Sequence, residues 1–416
     1  MDSLIRELKF ALRDRVVFIG LIGIALLSSY SLIMGLNESD SERALIERTQ
    51  KLVAQDREYN LAKQSDAGGA AYYAFHFTYS SPSALAFISR GVRDDLPWKH
   101  RIRMLALEGQ IYETDTANPE LSKVGKLDFS FVAALLLPLL SILFLYDLRA
   151  VELRNNRWAF LSATSGSGNR LLMVRAALRT VLLYLAVLLP FLIAVVIGGV
   201  AAKDTLLVIA AIALNSLFWC VMAYFTFTRI ASGPTTAAVL LGLWFAIAVA
   251  IPVGGKHLTE KHNLVPNGGE ILLTQRETVN DAWDLPKTNT MTPFLERHPE
   301  WNNTPDVTQP FEWRWYYAFQ QVGDQSVESM SKALRAGIAK RDAVMSMISL
   351  ASPTLLTQRL LASAANTDTQ AFLRYDDCVR QFHRSLREFH YPMLFGDAVF
   401  SDERMKELPI FRECSR

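Results

Sequence analysis

One stretch decides the fold and orients every other segment. It reads LRAVELRNNRWAFLSATSGSGNRLLMVRAALRT and covers Leu148–Thr180, called the basic segment below. Strongly apolar segments lie on both sides of it, residues 129–146 before it and residues 181–200 after it. A short, arginine-rich loop between two membrane spans is expected on the cytoplasmic side. The segment contains one acid, Glu152, and the arginines Arg149, Arg154, Arg157, Arg170, Arg175 and Arg179.

Charge and hydropathy are distributed unevenly over the 416 residues. Half of the residues are hydrophobic, which is ordinary for a soluble protein, so the average does not separate the classes. Several windows of about 20 residues contain almost no charge, and that length crosses about 30 Å of hydrocarbon. The net charge of +2 and the position of the basic residues beside apolar segments argue against a nucleic-acid partner. We therefore predict a multi-pass membrane protein.

Five apolar segments are expected to cross the membrane. They are residues 16–36, 129–146, 181–200, 205–228 and 235–253. The first is too long for the core of a signal peptide, and no A-x-A site follows it, so we expect it to be retained. The predicted fold class is a mainly α membrane protein with two α-rich or mixed soluble regions outside the cytoplasm. These regions are residues 37–127 and 254–416.

Residues 1–15 predict an amphipathic elbow helix on the cytoplasmic side. Leu4, Ile5, Leu8 and Leu12 recur at helical spacing, and the opposite side is basic. Such a helix can lie in the headgroup plane and contact membrane lipid. The alternative is a plain extension of the first span. Both interpretations place the N-terminus in the cytoplasm, and alternation then places the basic segment inside and both soluble regions outside.

The two soluble regions differ in pattern. Residues 39–67 are typical of a helix that leaves the membrane, and Gly68 and Gly69 are predicted to end it. Residues 72–111 are rich in aromatic side chains and predict a mixed fold. For the second region we predict helices over residues 313–349 and 367–391 and a loop over residues 298–311.

The sequence contains no evident motif for catalysis or for nucleotide or metal binding. The glycine-rich run at residues 166–172 lacks the P-loop pattern, so ATP hydrolysis by that route is not expected. The histidines show no metal-site spacing, and we expect them at the surface. Asp376 and Asp377 are adjacent, and adjacent helical positions point in different directions, which favours solvated charge over an acid/base pair. We expect no cofactor.

The cysteines leave one question open. Cys220 falls in an apolar span, whereas Cys378 and Cys414 fall in the region predicted outside the cytoplasm. A disulfide between the last two would survive there. The alternative is a pair of partly buried free thiols.

The order of segments resembles the permease subunit of an ABC-2 type exporter. In that family an elbow helix, a span, a long outside segment and a second span are followed by a distinctive loop. The loop has an acidic residue, a helix, a turn of small residues and a basic residue. Glu152, Leu161, Ser165–Gly168, Arg170 and Arg175 occupy those places. The family's glycine-threonine pair after the glutamate is absent, and Asn156, Arg157 and Trp158 stand there.

The C-terminal region is similar to the DUF3526 group of these permeases. The resemblance lies in LASP at residues 350–353, AANTD at residues 364–368, the helix from Phe372 to Phe389, and LPIF at residues 408–411. The group has a glycine where Asn366 stands. It usually has six spans, and this sequence ends where the sixth is expected to begin.

The resemblance implies a permease without its own ATPase motif. A separate cytoplasmic ABC ATPase would couple to the basic segment, and a second permease subunit, identical or different, would complete the path in the bacterial inner membrane. The implied coupling residues are Glu152, Arg154, Arg157, Leu161, Arg170 and Arg175. Two alternatives remain. The chain can relay ATPase motion to a periplasmic partner without substrate crossing the membrane, or it can be a membrane-bound enzyme, which the lack of catalytic motifs disfavours.

Overall fold

A computed structural model describes residues 2–113, 127–164 and 168–414. It is 77% helical, and the strands in these ranges form one antiparallel pair, so the predicted mainly α class is confirmed. Strand β1 (His76–Tyr79) pairs with β2 (Lys99–Ile102), with His76 opposite Ile102. The helices are α1 (Asp2–Arg13), α2 (Arg15–Leu61), α3 (Ala67–Tyr73), α4 (Leu107–Tyr112), α5 (129–145), α6 (Leu148–Arg154), α7 (Trp158–Thr164), α8 (Gly168–Gly198), α9 (Ala202–Arg229), α10 (Gly233–His262), α11 (Gly268–Asp281), α12 (Thr288–Arg297), α13 (Trp313–Ser326), α14 (Glu328–Ser349), α15 (Pro353–Ala365), α16 (Thr369–Leu394) and α17 (Asp402–Met405).

Five helices in the described ranges are long and apolar enough to cross a membrane, as predicted. They are α2, α5 with its continuation α6, α8, α9 and α10. Together they form a bundle whose core combines aliphatic side chains with a few large aromatic ones. Phe129 stacks on Phe191 with ring centroids 5.6 Å apart, and Trp219 is fully buried between helices. Many outward-facing side chains, such as Val196, are apolar and exposed, as a lipid-facing surface requires.

Helix α2 is much longer than a membrane is thick. Its 47 residues extend about 70 Å at 1.5 Å per residue, so its second half projects beyond the bundle as a polar helix. The prediction that Gly68 and Gly69 end this helix is wrong, because it ends at Leu61. Both glycines lie inside α3. A Cβ on Gly68 would stand 1.9 Å from the Trp313 ring, so this position allows α3 and α13 to pack closely.

The two soluble regions predicted as separate form one domain. We call residues 62–113 and 263–414 the polar domain. Its core joins Ile102 and Leu107 from the first region to Tyr317 and Val379 from the second. The mixed fold predicted for residues 72–111 matches the observed short helices and the β1–β2 pair.

The helices of the second region begin and end close to their predicted positions. The helix predicted over residues 313–349 is two helices that part at Val327. The helix predicted over residues 367–391 is α16, Thr369–Leu394. Residues 298–311 are irregular apart from the short 3-10 helix Pro299–Trp301.

One helix of the polar domain lies inside the bundle, and no pattern predicted this. Helix α15, called the wedge helix, packs along α9 and against α5 and α10. Its Leu361 and Ala365 are fully buried in the bundle core. The Ser83 hydroxyl donates to the carbonyl of Ala365 at 2.6 Å, which ties the end of the wedge helix to the loop after β1.

Proline breaks the hydrogen-bond ladder in two spans, and each break is satisfied differently. Both α5 and α10 contain a π-helical turn before a proline, Val132–Leu136 before Pro138 and Ala246–Ala250 before Pro252. Proline lacks an N–H and crowds the carbonyl four residues earlier, so carbonyls are left without partners. Asn215 of α9 donates to the carbonyls of Ala133 and Ala134 at 3.2 and 3.3 Å. Ser352, at the start of the wedge helix, donates to the carbonyl of Ile247 at 2.7 Å.

Candidate functional site

The basic segment folds as two short helices that lead into α8. Helices α6 and α7 are separated by Asn156, whose φ of 53° is in the left-handed region. Asparagine tolerates that region better than other residues except glycine, so it can make this sharp turn. The Arg157 amide closes the turn by donating to the carbonyl of Glu152 at 3.0 Å.

A buried group of three charges lies at this end of the bundle. Arg175 donates to Glu152 at 2.8 Å and to Glu7 at 2.7 Å. The side chains are 10 to 17% exposed, so water screens them little. We call Glu7, Glu152 and Arg175 the charge cluster. It joins the elbow helix α1, the helix α6 and the third long helix α8.

A second ion pair lies one turn further along α8. Arg179 bonds Asp14 at 3.2 Å and donates to the carbonyl of Phe144 at 2.6 Å. Asp14 also accepts from the Val16 amide and so caps α2. Arg179 therefore ties the start of the first span and the end of the second span to the third.

The basic segment also contacts the connection between α9 and α10. The Arg149 guanidinium donates to the carbonyl of Thr228, and its charge lies 5.5 Å from the Trp158 ring. Trp158 in turn covers Gly168, where a Cβ would stand 2.6 Å from the indole. The elbow helix, the basic segment and this connection thus meet at one end of the bundle.

The other predicted coupling residues lie nearer the surface. Arg157 bonds Glu152 at 2.9 Å with its side chain 56% exposed, and Arg154 bonds Asp147 at 2.9 Å with its side chain 65% exposed. Leu161 is half-buried and Arg170 is exposed. The predicted turn over residues 165–168 lies mostly outside the described residues.

This arrangement connects an exposed surface to two other helices. Arg154, Arg157 and Phe160 lie on the outer side of α6 and α7, with Phe160 70% exposed. Directly beneath them, Glu152 connects to two other helices. A partner that moves α6 and α7 would therefore act on α1 and α8 through charge–charge contacts.

Sequence reasoning missed the acids that complete this site. Glu7 lies on the elbow helix and Asp14 caps the next helix, whereas Arg175 and Arg179 are four apart and share a face of α8. The available signal was the presence of these two acids in the otherwise basic residues 6–15. It was obscured because the arginines and lysine around the elbow helix suggested only contact with headgroups.

A second concentration of charge lies in the polar domain. Arg380 bonds both oxygens of Glu108 and one oxygen of Asp376, and Arg335 also bonds Asp376. Burial lowers the pKa of Arg380, but the hydrogen bonds that Arg380 donates to Glu108 and the nearby negative charges outweigh burial and raise that pKa overall. The prediction of solvated charge is wrong for Asp376, which is buried, and holds for the exposed Asp377.

The charged side chains of this network face a cleft of about 540 Å³ between α13, α14 and α16. Arg387 bonds Asp324 at 2.6 Å inside it. Basic and acidic side chains both line the cleft, and most are paired with one another. The arrangement therefore holds the three helices in register.

Three histidines expected at the surface are instead buried in the polar domain. Burial lowers the pKa of His76 and of His390 to about 3, and that of His383 well below its ordinary value. His383 bonds the carbonyl of Leu105 at 2.8 Å. Within the described ranges, no three His, Cys, Asp or Glu side chains converge as metal ligands would.

Cys378 and Cys414 are joined by a disulfide, with an S–S distance of 2.07 Å. The bond fastens the C-terminal segment to α16, beside the strand-end residue Tyr79. Cys220 is a free, half-buried thiol in α9.

Comparison with known proteins finds one family. No curated protein matches this chain, and no solved structure matches it. Residues 269–413, about a third of the chain, match the family described as a domain of unknown function, DUF3526. The matched range runs from α11 past α17 and includes the wedge helix.

Proposed function

We propose that this chain is the permease subunit of an ABC-2 type transporter, driven by a separate ATPase that binds the basic segment. The observation that carries the proposal is the charge cluster. Through Arg175, it links α6, which leads into the more exposed α7, to both the elbow helix and the third long helix. A partner bound to α6 and α7 would therefore act on the elbow helix and on the third span at once.

The proposed movement follows the contacts. ATP-driven closure of the partner would shift α6 and α7, and Glu152 would pass the shift to Arg175. Arg179 and Asp14 would carry it to the starts of α8 and α2. The prolines of α5, α8 and α10 provide places where these helices can bend.

The proposed orientation places the basic segment in the cytoplasm and the polar domain in the periplasm. Its support is the positive-inside rule, since the short connections and span flanks at the end of the bundle opposite the polar domain are rich in arginine. The bacterial inner membrane is the proposed location. The elbow helix then lies at the cytoplasmic surface, where its apolar side, with Phe10 exposed, contacts lipid.

A second permease subunit would complete the path. The fifth span supports this part of the proposal, because only 6% of its apolar window is buried. Its apolar surface is available to a second subunit, identical or different, as well as to lipid.

Co-purification tests the proposal. The full chain is isolated from its native host with bound proteins, and an ATP-hydrolysing chain is expected in the complex. The double variant Glu152→Gln with Arg157→Gln is expected to lose it. Arg229→Gln removes an exposed basic residue at the same end but outside the basic segment, and it is expected to retain the ATPase. Retention by all three proteins, or absence from the unmodified one, would reject the proposal.

The wedge helix favours a second candidate function, a relay to a periplasmic partner without transport. It passes from the polar domain into the bundle, and Ser352 donates to the carbonyl of Ile247 in the π-helical turn of the fifth span. Movement of the spans would therefore reach the polar domain. ATPase stimulation in proteoliposomes separates the two functions. Stimulation by a transported substrate supports the permease, whereas stimulation by a periplasmic protein without movement of substrate supports the relay.

A further inference from the structure

A groove between the first and third long helices lies apart from the basic segment, and its interpretation does not depend on the proposed function. A cavity of about 280 Å³ opens where α2 changes from apolar to polar sequence and α8 ends. Ile33 and Ile197 line its apolar part. Ser39, Asp40 and Arg43 line its polar part.

The back of the groove is preformed. Phe87 lies there and is 2% exposed. A Cβ on Gly35 would stand 2.0 Å from the Phe87 carbonyl oxygen, and a Cβ on Gly198 would stand 3.1 Å from its ring. The two glycines thus let the loop after β1 pack deeply between α2 and α8.

The polar part of the groove holds an unsatisfied hydroxyl. Ser39 is 2% exposed, and its oxygen has no hydrogen-bond partner within the described residues. Such a group is costly to bury unless something occupies its bonding position. Beside it, Asp40 and Arg43 form an ion pair of 2.8 Å whose side chains are 73% and 45% exposed. Both charges are therefore accessible to a ligand.

We propose that this groove binds a zwitterionic phospholipid. The lipid phosphate would lie between Arg43 and the Ser39 hydroxyl, and the ammonium would lie against Asp40. One acyl chain would follow Ile33 and Ile197. The paired charges favour a zwitterion, since an anionic headgroup without an ammonium would meet the uncompensated Asp40. The exposed isoleucines favour a lipid over a soluble phosphate compound, which would leave them uncovered.

Native mass spectrometry of the full chain tests this inference. The purified protein is exchanged into an equimolar mixture of phosphatidylethanolamine and phosphatidylglycerol, and bound lipids are counted. The unmodified protein is expected to prefer phosphatidylethanolamine. Asp40→Asn is expected to reduce this preference about twofold to fivefold, the range typical of an exposed ion pair. Glu47→Gln alters the comparable Glu47–Lys51 pair two turns further along α2 and is expected to change nothing.

Two further measurements, with other variants and with a soluble headgroup, identify the ligand. Ser39→Ala is expected to reduce retention of both lipids, and Ile197→Trp, which fills the apolar part, is expected to reduce it further. Glycerophosphoethanolamine, the headgroup without acyl chains, is expected to compete poorly. An unchanged lipid ratio in Asp40→Asn would overturn the inference. So would equal competition by the soluble headgroup, because that result describes a site for a soluble compound.

Discussion

The two ends of the helix bundle are held by different forces. At the end that contains the basic segment, Arg175 and Arg179 connect α8 to α1, α6 and the start of α2 through carboxylates. At the other end, the wedge helix is held by packing, with Leu361 and Ala365 fully buried. A few directional hydrogen bonds, such as that from the Ser83 hydroxyl to the carbonyl of Ala365, supplement this apolar packing.

The difference suggests that the two ends have different roles. Ion pairs are directional and join particular atoms, so displacement of α6 acts on the particular helices that its ion pairs contact. Apolar packing depends mainly on the area removed from water, so it holds the polar domain to the bundle over small movements. Arg157 remains exposed at the first end, whereas the wedge helix is largely enclosed at the second. A soluble partner can therefore reach only the first arrangement directly.

Removal of the central arginine is expected to have the largest effect. Arg175→Gln leaves the buried Glu7 without its cation and leaves Glu152 with only the exposed Arg157, and such a loss costs about 3–5 kcal/mol of unfolding free energy. Arg157→Gln removes an exposed partner of the same Glu152 and is expected to cost about 1 kcal/mol or less. Detergent-titration unfolding of both variants measures the difference. Equal effects would show that the charge cluster does not hold this end together.

Truncation of a side chain in the wedge helix is expected to have the next largest effect on stability. Leu361→Ala opens a cavity among α5, α9 and α15, and such changes cost about 2–5 kcal/mol. Hydrogen exchange is expected to rise in the wedge helix and in the neighbouring polar domain. Leu350→Ala changes a side chain that is 74% exposed and serves as the control. A wedge helix that keeps its protection in Leu361→Ala would contradict its role as the anchor.

Acidification is expected to loosen the polar domain before the bundle. The pKa of His76 and of His390 is about 3 in the folded protein because both are buried, against an ordinary value of 6.5. The unfolded chain therefore binds these protons first as the pH falls. The stability they contribute is complete above pH 6.5 and is lost progressively as the pH falls toward 3.

The expected loss of unfolding free energy at pH 5.5 is about 1.4 kcal/mol for each of these two histidines. Hydrogen exchange at pH 7.5 and 5.5, corrected for its intrinsic pH dependence, measures it for the polar domain and the bundle separately. The double variant His76→Phe with His390→Phe is expected to show a shallower pH dependence in the polar domain. The same slope in the variant would assign the effect to other groups.

The smallest expected effect concerns the bond between the wedge helix and the fifth span. Ser352→Ala removes the donor to the Ile247 carbonyl and is expected to cost about 1 kcal/mol. Asn215→Ala removes two comparable bonds within the bundle and is expected to cost more. If ATPase stimulation by a periplasmic partner falls in Ser352→Ala but not in Asn215→Ala, the relay gains support. If the stimulation falls in Asn215→Ala but not in Ser352→Ala, the interrupted hydrogen bonds of the second span carry the effect instead.

Hydropathy predicted the five spans because a charge-free stretch of about 20 residues has few alternatives. The basic segment could also be recognised from the sequence, since its arginines stand between two such stretches. The position of the wedge helix could not be predicted from its sequence. Its sequence, PTLLTQRLLASAA, is 13 residues long and contains an arginine, so it is typical of an ordinary amphipathic helix. Its place in the bundle depends on neighbours that lie far away in the sequence.

The remaining differences also arise from long-range contacts. Glu7 lies 168 residues before Arg175, and no local pattern pairs them. Asp376 and the buried histidines looked solvated because each is polar, but a domain assembled from two distant regions encloses them. The cysteines could be judged only once α16 and the C-terminal segment were seen to be adjacent.

Photo-crosslinking at Phe160 tests the central claim most directly. A benzoylphenylalanine at this exposed aromatic position of α7 is expected, on irradiation of intact cells, to capture an ATP-hydrolysing chain identified by mass spectrometry. The same group at Phe245, an exposed aromatic of the fifth span, is the control and is expected not to capture it. Absence of an ATPase from the Phe160 adducts, or equal capture at Phe245, would contradict the claim that a motor protein binds the basic segment.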